Sequence, residues 1–349
     1  MTSFGKSPSG FRRHGTSLEP GHMNLGSEHT PIDSFFVCSA GDAPSIDPGA
    51  WRLTIDGDAT EGTILQLADL ESLPQHRVSS WLECAGNGRT LYELVGGHPR
   101  SPRASDTPWL LGAMGMADWA GPRLGDVLAL AGYQDAAFVG PEGSDLDNPE
   151  GHPVRMSIPM DKALDPDTIV AFEMNGEPLT AAHGAPARML VPGWVGAYSV
   201  KWLHRIEVST RWIPSWRADE YYVRRNPEGD KLGPATAHPV KSSLALPWPA
   251  TLRPGPQEIR GYARAAGVAI EQVEYRVDDG AWRSARLVGP NDRWTWSPFE
   301  FDWTATPGNH LIRTRATDAR GQTQPRTIPY NPRTILWNAI IPHPVEISG

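Results

Sequence analysis

VSSWLECAGNG, residues 78–88, reads as a strand that ends on a cysteine and turns at once on glycines. Gly86 and Gly88 allow the backbone to come close to whatever the thiol of Cys84 holds. A thiolate presented in this way suits a soft metal or a nucleophile. An inert buried cysteine beside an ordinary turn fits the same residues. His76, His98 and His183 stand at no diagnostic spacing for a Cys–His nucleophile.

Working outward from this turn, the segments on its N-terminal side are short. FFVC (35–38) signals a strand, WRLTIDG (51–57) alternates and closes on Asp56-Gly57, and TILQLADLESLP (63–74) passes into a short helix stopped by Pro74. On the C-terminal side, GPRLGDVLALAGY (121–133) predicts a helix. Pro122 suits its first turn, Leu124, Val127, Leu128 and Ala131 share one face, and Gly132 suits the stop. Ser157 and Pro159 open a helical turn, TIVAFEM (168–174) reads as a strand, and Asn175-Gly176 is a hairpin signal. RMLVPG (188–193) and YSVKWLHRIEVS (198–209) read as strands around the Pro192-Gly193-Trp194 loop. Seven prolines between Pro227 and Pro256 mark a linker. Beyond it, VEYRV (273–277), the Asp279-Gly280 turn and the alternation of Ile312, Thr314 and Ala316 with Arg313 and Arg315 suggest an immunoglobulin-like sandwich. Residues 1–30, rich in Gly, Ser and His, read as a mobile arm or surface strap without a core.

Composition agrees with a two-domain, loop-rich, β-rich protein. The chain has 349 residues and a mass of 38.1 kDa, with 35 Gly, 34 Pro and 39% hydrophobic residues. Its formal charge of −8 provides no basic excess for nucleic acid or an anionic membrane. No window approaches the ~18 apolar residues of a membrane span, and the first residues lack the apolar core of a secretion signal. The chain as written is therefore expected in the cytoplasm, or in the periplasm if a leader has been removed. With only Cys38 and Cys84, it is not a disulfide scaffold. A β-rich binding protein in which the 14 tryptophans line a ligand face and Cys84 is merely buried is compatible with composition alone.

WLECAGNGR (81–89) resembles the cysteine motif of the sulfite oxidase family of molybdenum enzymes. Collinear stretches agree with it: WLLGAMGMADWAGPRLGDVL (109–128), SIPMDKALDP (157–166), AFEMNGEPLTAAHGAPAR (171–188) and VPGWVGAYSVKWLHRIEV (191–208). The resemblance implies an α+β fold in which a mixed, β-rich molybdopterin domain (31–240) follows an N-terminal arm (1–30) and precedes an immunoglobulin-like dimerisation domain (245–349). It implies a molybdenum-molybdopterin cofactor, with Cys84 as the only protein ligand to the metal. Soft thiolate and dithiolene donors suit a metal that exchanges one oxygen atom with substrate at each turnover.

Residue by residue, His183 and Arg188 match positions that bind the anionic end of the pterin, a role suited to a guanidinium fork. Ser199, Val200 and Lys201 match a second pterin-contacting run, Phe36, Cys38 and Ser39 a third, and Asp145 is the candidate for an acidic contact. Arg89, Trp109 and Tyr222 match substrate-pocket positions, and Arg333 in YNPRTILW matches the arginine supplied by the C-terminal domain. Two cations would attract an oxyanion, and the tyrosine hydroxyl would orient it and take part in proton transfer.

The family typically carries Arg-Asn-His after its aromatic pair, whereas here Phe35-Phe36-Val37 runs into Cys38-Ser39-Ala40. Losing one charge-assisted contact costs about 1.5–3 kcal/mol, which counts against sulfite as the physiological substrate. The resemblance therefore implies an oxidoreductase acting on sulfite or a related oxyanion, or an S-oxide or N-oxide reductase on the same cofactor. The sequence has no CxxCH haem site, cytochrome b5-like segment or flavin fingerprint, so a separate electron acceptor, such as a cytochrome, is expected. A homodimer is expected from the C-terminal segment.

Overall fold

The computed structural model describes residues 6, 10–21, 25, 27–103, 106–146 and 153–348. Part of the N-terminal arm and part of the stretch after Asp145 thus lie outside the described residues. The chain is β-rich with few, short helices. No helix among the described residues is long and apolar enough to cross a membrane.

A mixed sheet takes the order Thr63–Leu65, Leu53–Asp56, Leu203–Ser209, Phe138–Leu146, Pro153–Arg155, with Ile158–Pro159 also on Phe138–Leu146. Within this sheet, among the described residues, Leu53–Asp56 and Leu203–Ser209 run parallel and the other pairs antiparallel. Helix Leu124–Ala131 buries Leu124, Val127, Leu128 and Ala131 in the core that also holds Leu53, Ile55, Ile206 and Val208. This face follows from the helical period. Pro122, however, is the last residue of the preceding strand, and Arg123 sits at the N-cap, so the helix starts later than predicted.

The second sheet is built on Gln75–Glu83 and Met114–Pro122, paired antiparallel from Gln75↔Pro122 to Glu83↔Met114. The Asn175-Gly176 hairpin joins Glu173–Met174 to Glu177–Pro178 at its edge. Cys84 follows the end of the ladder, and its N–H donates to the Ala113 carbonyl at 2.9 Å. This extra rung carries the ladder's geometry into the glycine turn.

The C-terminal region forms two sheets. One has the order Lys241–Leu244, Gly255–Arg264, Ser297–Ala305, Arg286–Leu287, and the other Ala250–Leu252, His343–Ile347, Gly308–Asp318, Ile270–Val277, Arg283–Ser284. Ile259, Phe299 and Phe301 of the first pack in one core with Val273, Ile312, Ala316 and Val345 of the second.

Three expectations are corrected. FFVC is not a strand: Val37 makes a single bridge, to Leu18. The proline-rich stretch is not a plain linker, because Lys241–Leu244 within it is a fully buried strand and Lys231–Pro234 pairs with Val223–Arg225. Nor is the arm without a core. Phe11–His14 and Ser17–Pro20 form a hairpin with Leu18 and Glu19 buried, and Leu25 packs beside Trp81, Tyr262 and Trp296. Its polar residues are masked by specific partners: Glu19 Oε1 accepts from the N–H groups of Leu110 at 2.8 Å and Gly112 at 3.0 Å.

Candidate functional site

The turn after Gln75–Glu83 opens into a cavity of about 640 Å³. Gly86 leaves room for Arg89 and Trp109: a Cβ would lie 2.8 Å from an Arg89 nitrogen and 3.2 Å from the Trp109 ring, so those side chains would have to shift. Gly88 adopts φ +89°, a left-handed conformation that L side chains rarely take. Behind the turn, Asn87 donates to Glu83 Oε1 at 2.9 Å and accepts from the Ala113 N–H at 3.1 Å. Glu83 itself is buried, paired with Lys241 at 2.6 Å and Arg264 at 2.5 Å, and its carbonyl lies 3.1 Å from His238 Nε2. Two strands of the C-terminal sheets thus anchor the strand that ends at the cysteine.

Cys84 lines the cavity, and its Sγ lies 3.9 Å from the Sγ of Cys38. The first proton of this pair leaves well below the ordinary thiol range, since the remaining S–H hydrogen-bonds the thiolate and Lys201, Arg217 and Arg89 favour the negative charge. The same hydrogen bond, together with burial, pushes the second proton far up. No group of three His, Cys, Asp or Glu side chains among the described residues could hold a metal ion. A metal here would take its remaining donors from elsewhere.

A cationic pole lies in the same cavity. Arg188 is buried and donates to the carbonyls of His183 at 3.0 Å and Ser199 at 2.8 Å, with its guanidinium 4.9 Å from the Trp119 ring. Burial pushes the Arg188 pKa down to about 9. Lys201 is brought down to about 7 by burial, with Arg188 adding to the fall and Cys38 and Asp145 opposing it. Behind the lining, Lys6 donates to the carbonyls of Ile32 at 2.7 Å and Phe35 at 2.6 Å and is likewise brought to about 7 by burial. Burial, with Lys6, Arg188 and Lys201 close by, keeps His183 neutral. A pole that disfavours its own cations is one that an anion would stabilise. The thiol and the pole together fit a ligand with a thiophilic centre and an anionic end.

The cavity brings together most of the residues singled out from sequence. Phe36, Cys38, Ser39, Cys84, Arg89, Trp109 and Tyr222 line it, as do Asp145, His183, Arg188, Ser199, Val200 and Lys201. Ser199 holds its wall by accepting from the Val191 N–H at 3.0 Å. Trp109 meets His14 and Phe36 edge to face. Tyr222 follows a single π-turn, Arg217–Tyr221, closed by its N–H on the Arg217 carbonyl at 2.8 Å. Its burial raises the Tyr222 pKa far up, so the hydroxyl keeps its proton.

Arg333 is buried but does not line the cavity. Its guanidinium reaches Asp106 at 3.3 Å and lies 4.2 Å from the Tyr221 ring. Asp106, Tyr221, Arg217, Lys6 and His14 escaped the sequence reading. Only Asp106 carried a local signal, standing three residues before Trp109 in the TPW block.

Comparison with known proteins places these features in a wider group. The oxidoreductase molybdopterin binding domain matches residues 40–216 and the Mo-co oxidoreductase dimerisation domain residues 235–347. The sulfite oxidase of Gallus gallus is 36% identical over 331 residues, covering 88% of this chain and 70% of that protein. The mitochondrial sulfite oxidase of Mus musculus is 35% identical, covering 89% of this chain, which spans only 60% of the mouse protein. Among solved structures, the sulfane dehydrogenase SoxCD of Paracoccus pantotrophus superposes with a TM-score of 0.84 at 25% identity, covering 99% of this chain and 88% of the other.

Proposed function

The chain belongs to the sulfite oxidase family of molybdopterin-dependent oxidoreductases, and from that premise we propose that it oxidises a sulfur oxyanion or related reduced sulfur compound and passes the electrons to a separate acceptor, such as a cytochrome. The cofactor of this family is molybdenum-molybdopterin. When bound, it supplies a two-electron metal centre that exchanges an oxygen atom with substrate.

The observation that carries the reading is the single cavity that joins the Cys84 thiol to the Arg188–Lys201 pole. Cys84 is the metal ligand in this reading. Arg188 and Lys201 hold the anionic end of the pterin, with neutral His183 and the Ser199 and Val200 backbone shaping its bed, and Asp145 closing that end. Phe36 and Ser39 form the facing wall. Arg89 orients the substrate, Trp109 excludes water beside it, and the Tyr222 hydroxyl, kept protonated by burial, donates to a substrate oxygen. Arg333 acts from behind the wall through Asp106 and Tyr221.

We read residues 31–240 as the cofactor-holding domain and 245–349 as an immunoglobulin-like domain through which two copies associate. The test is the molybdenum and pterin content of wild type and Cys84→Ser from a cofactor-competent host. Near one molybdenum per wild-type chain, with thiolate-to-metal absorption absent from the variant, is expected. Wild-type protein without metal and pterin would overturn the reading.

A further inference from the structure

We propose that Asp106 tunes the charge preference of the substrate pocket, weakening dianions more than monoanions and so narrowing the advantage that the pocket's arginines give a dianion. This inference rests on the functional reading above. The Asp106 side chain has no exposed surface and lies in the wall of the cavity, where Oδ1 accepts from Arg333 at 3.3 Å and lies 3.9 Å from Arg89. The Tyr221 hydroxyl donates to the same oxygen and the Ser101 hydroxyl to the other. Four partners fix the carboxylate in place, and burial alone, which would raise its pKa, is outweighed by Arg89, the two hydroxyls and Arg333.

The two arginines are turned largely toward protein. Arg89 also donates to the carbonyls of Thr107 at 3.0 Å and Thr334 at 3.4 Å, and Arg333 to that of Tyr221 at 3.3 Å. With Asp106 between them, these three side chains carry a formal charge of +1. Arg217 lines the cavity too, with its guanidinium 5.4 Å from the Tyr221 ring, while Cys38 places a thiol where the family carries arginine. An anion gripped by Arg89 comes close to a buried carboxylate that is screened little by salt. The repulsion is proportional to the anion's charge, so a dianion feels twice that of a monoanion. Replacing Asp106 by Asn must then tighten a dianion by the square of the factor for a monoanion.

The experiment compares sulfate with methanesulfonate, two unreactive tetrahedral anions of charge −2 and −1, by titration calorimetry on wild type, Asp106→Asn and Tyr221→Phe at fixed ionic strength. In cofactor-loaded wild type the arginines and Asp106 act in opposite directions, and the ratio of the two affinities is the reference for the variants. Asp106→Asn should tighten sulfate about tenfold and methanesulfonate about threefold, whereas Tyr221→Phe, which keeps the carboxylate, should leave the ratio within about twofold. An Asn variant that tightens sulfate no more than methanesulfonate overturns the proposal. If Asp106→Asn does not fold, Asp106→Ser, which removes the same charge with a smaller side chain, is read against the same ratio. Metal and pterin content, measured on the same samples, reports separately on the functional reading, because anion selectivity does not depend on turnover.

Discussion

The Sγ atoms of Cys38 and Cys84 lie 3.9 Å apart although 46 residues separate them in sequence. The pair gives up one proton readily and shares the other, and Cys84, the buried member, is the proposed metal ligand. In cofactor-free protein, oxidised glutathione should convert the pair to a disulfide, two thiols giving one S–S bond as the glutathione disulfide is reduced to two thiols. Thiol titration of the unfolded product should then find no free cysteine, and in cofactor-loaded enzyme both. Two free thiols after oxidation of the cofactor-free chain would count against this pairing.

Lys201 serves a bound anion at the expense of the empty site. Lys201→Met should lower pterin content several-fold while leaving the cofactor-free chain no less stable than wild type. In the cofactor-free chain, Lys201 and Lys6 have folded pKa values near 7 against an ordinary 10.5, so the unfolded chain holds more protons between these values. Stability of that form should rise with pH from about 7 to 10. Urea unfolding across this range, with and without cofactor, checks the sign, and a flat profile for the cofactor-free wild type would refute it.

Glu83 is held by Lys241 and Arg264 with no solvent to take over the charge. Glu83→Gln leaves two buried cations uncompensated and should lower stability by about 3–5 kcal/mol. Denaturant unfolding measures this, and a loss below about 1 kcal/mol would show that the pairs are not as buried as they stand.

His238 reports on the same cluster by pH. Its Nδ1 faces Arg264 at 3.4 Å, and burial brings its pKa down to about 3. The folded chain therefore binds fewer protons than the unfolded chain between about 3 and 6.5. Stability is full above 6.5 and falls as the pH drops through this window, by about 1.4 kcal/mol per pH unit for this one group. His238→Gln should flatten the acid limb of the unfolding profile, and an unchanged slope would assign the limb to other groups.

What could be read from sequence was what local pattern encodes. The strand Gln75–Glu83 and the buried face of Leu124–Ala131 follow from apolar spacing, and the cysteine turn follows from its glycines. Lys241–Leu244 has no such spacing. Its Lys241 and Ser242 side chains are buried only because Glu83, Thr314 and Gln324 satisfy them, and those partners lie far away in sequence. Asp106 and Tyr221 escaped notice for the same reason, since 115 residues separate the carboxylate from the hydroxyl that identifies its place. Arg333 could be matched by motif, but its position behind the wall is a property of that tertiary cluster.

The N-terminal hairpin has a consequence for the order of assembly. Glu19 grips the backbone around Trp109, and the Ser27 carbonyl accepts from Trp296 Nε1 at 2.8 Å. This segment cannot complete its contacts until Trp296, 269 residues after Ser27, has been made. His14, Gly15, Thr16 and Ser17 line the cavity, so part of its wall belongs to a segment whose last anchor is made late in synthesis.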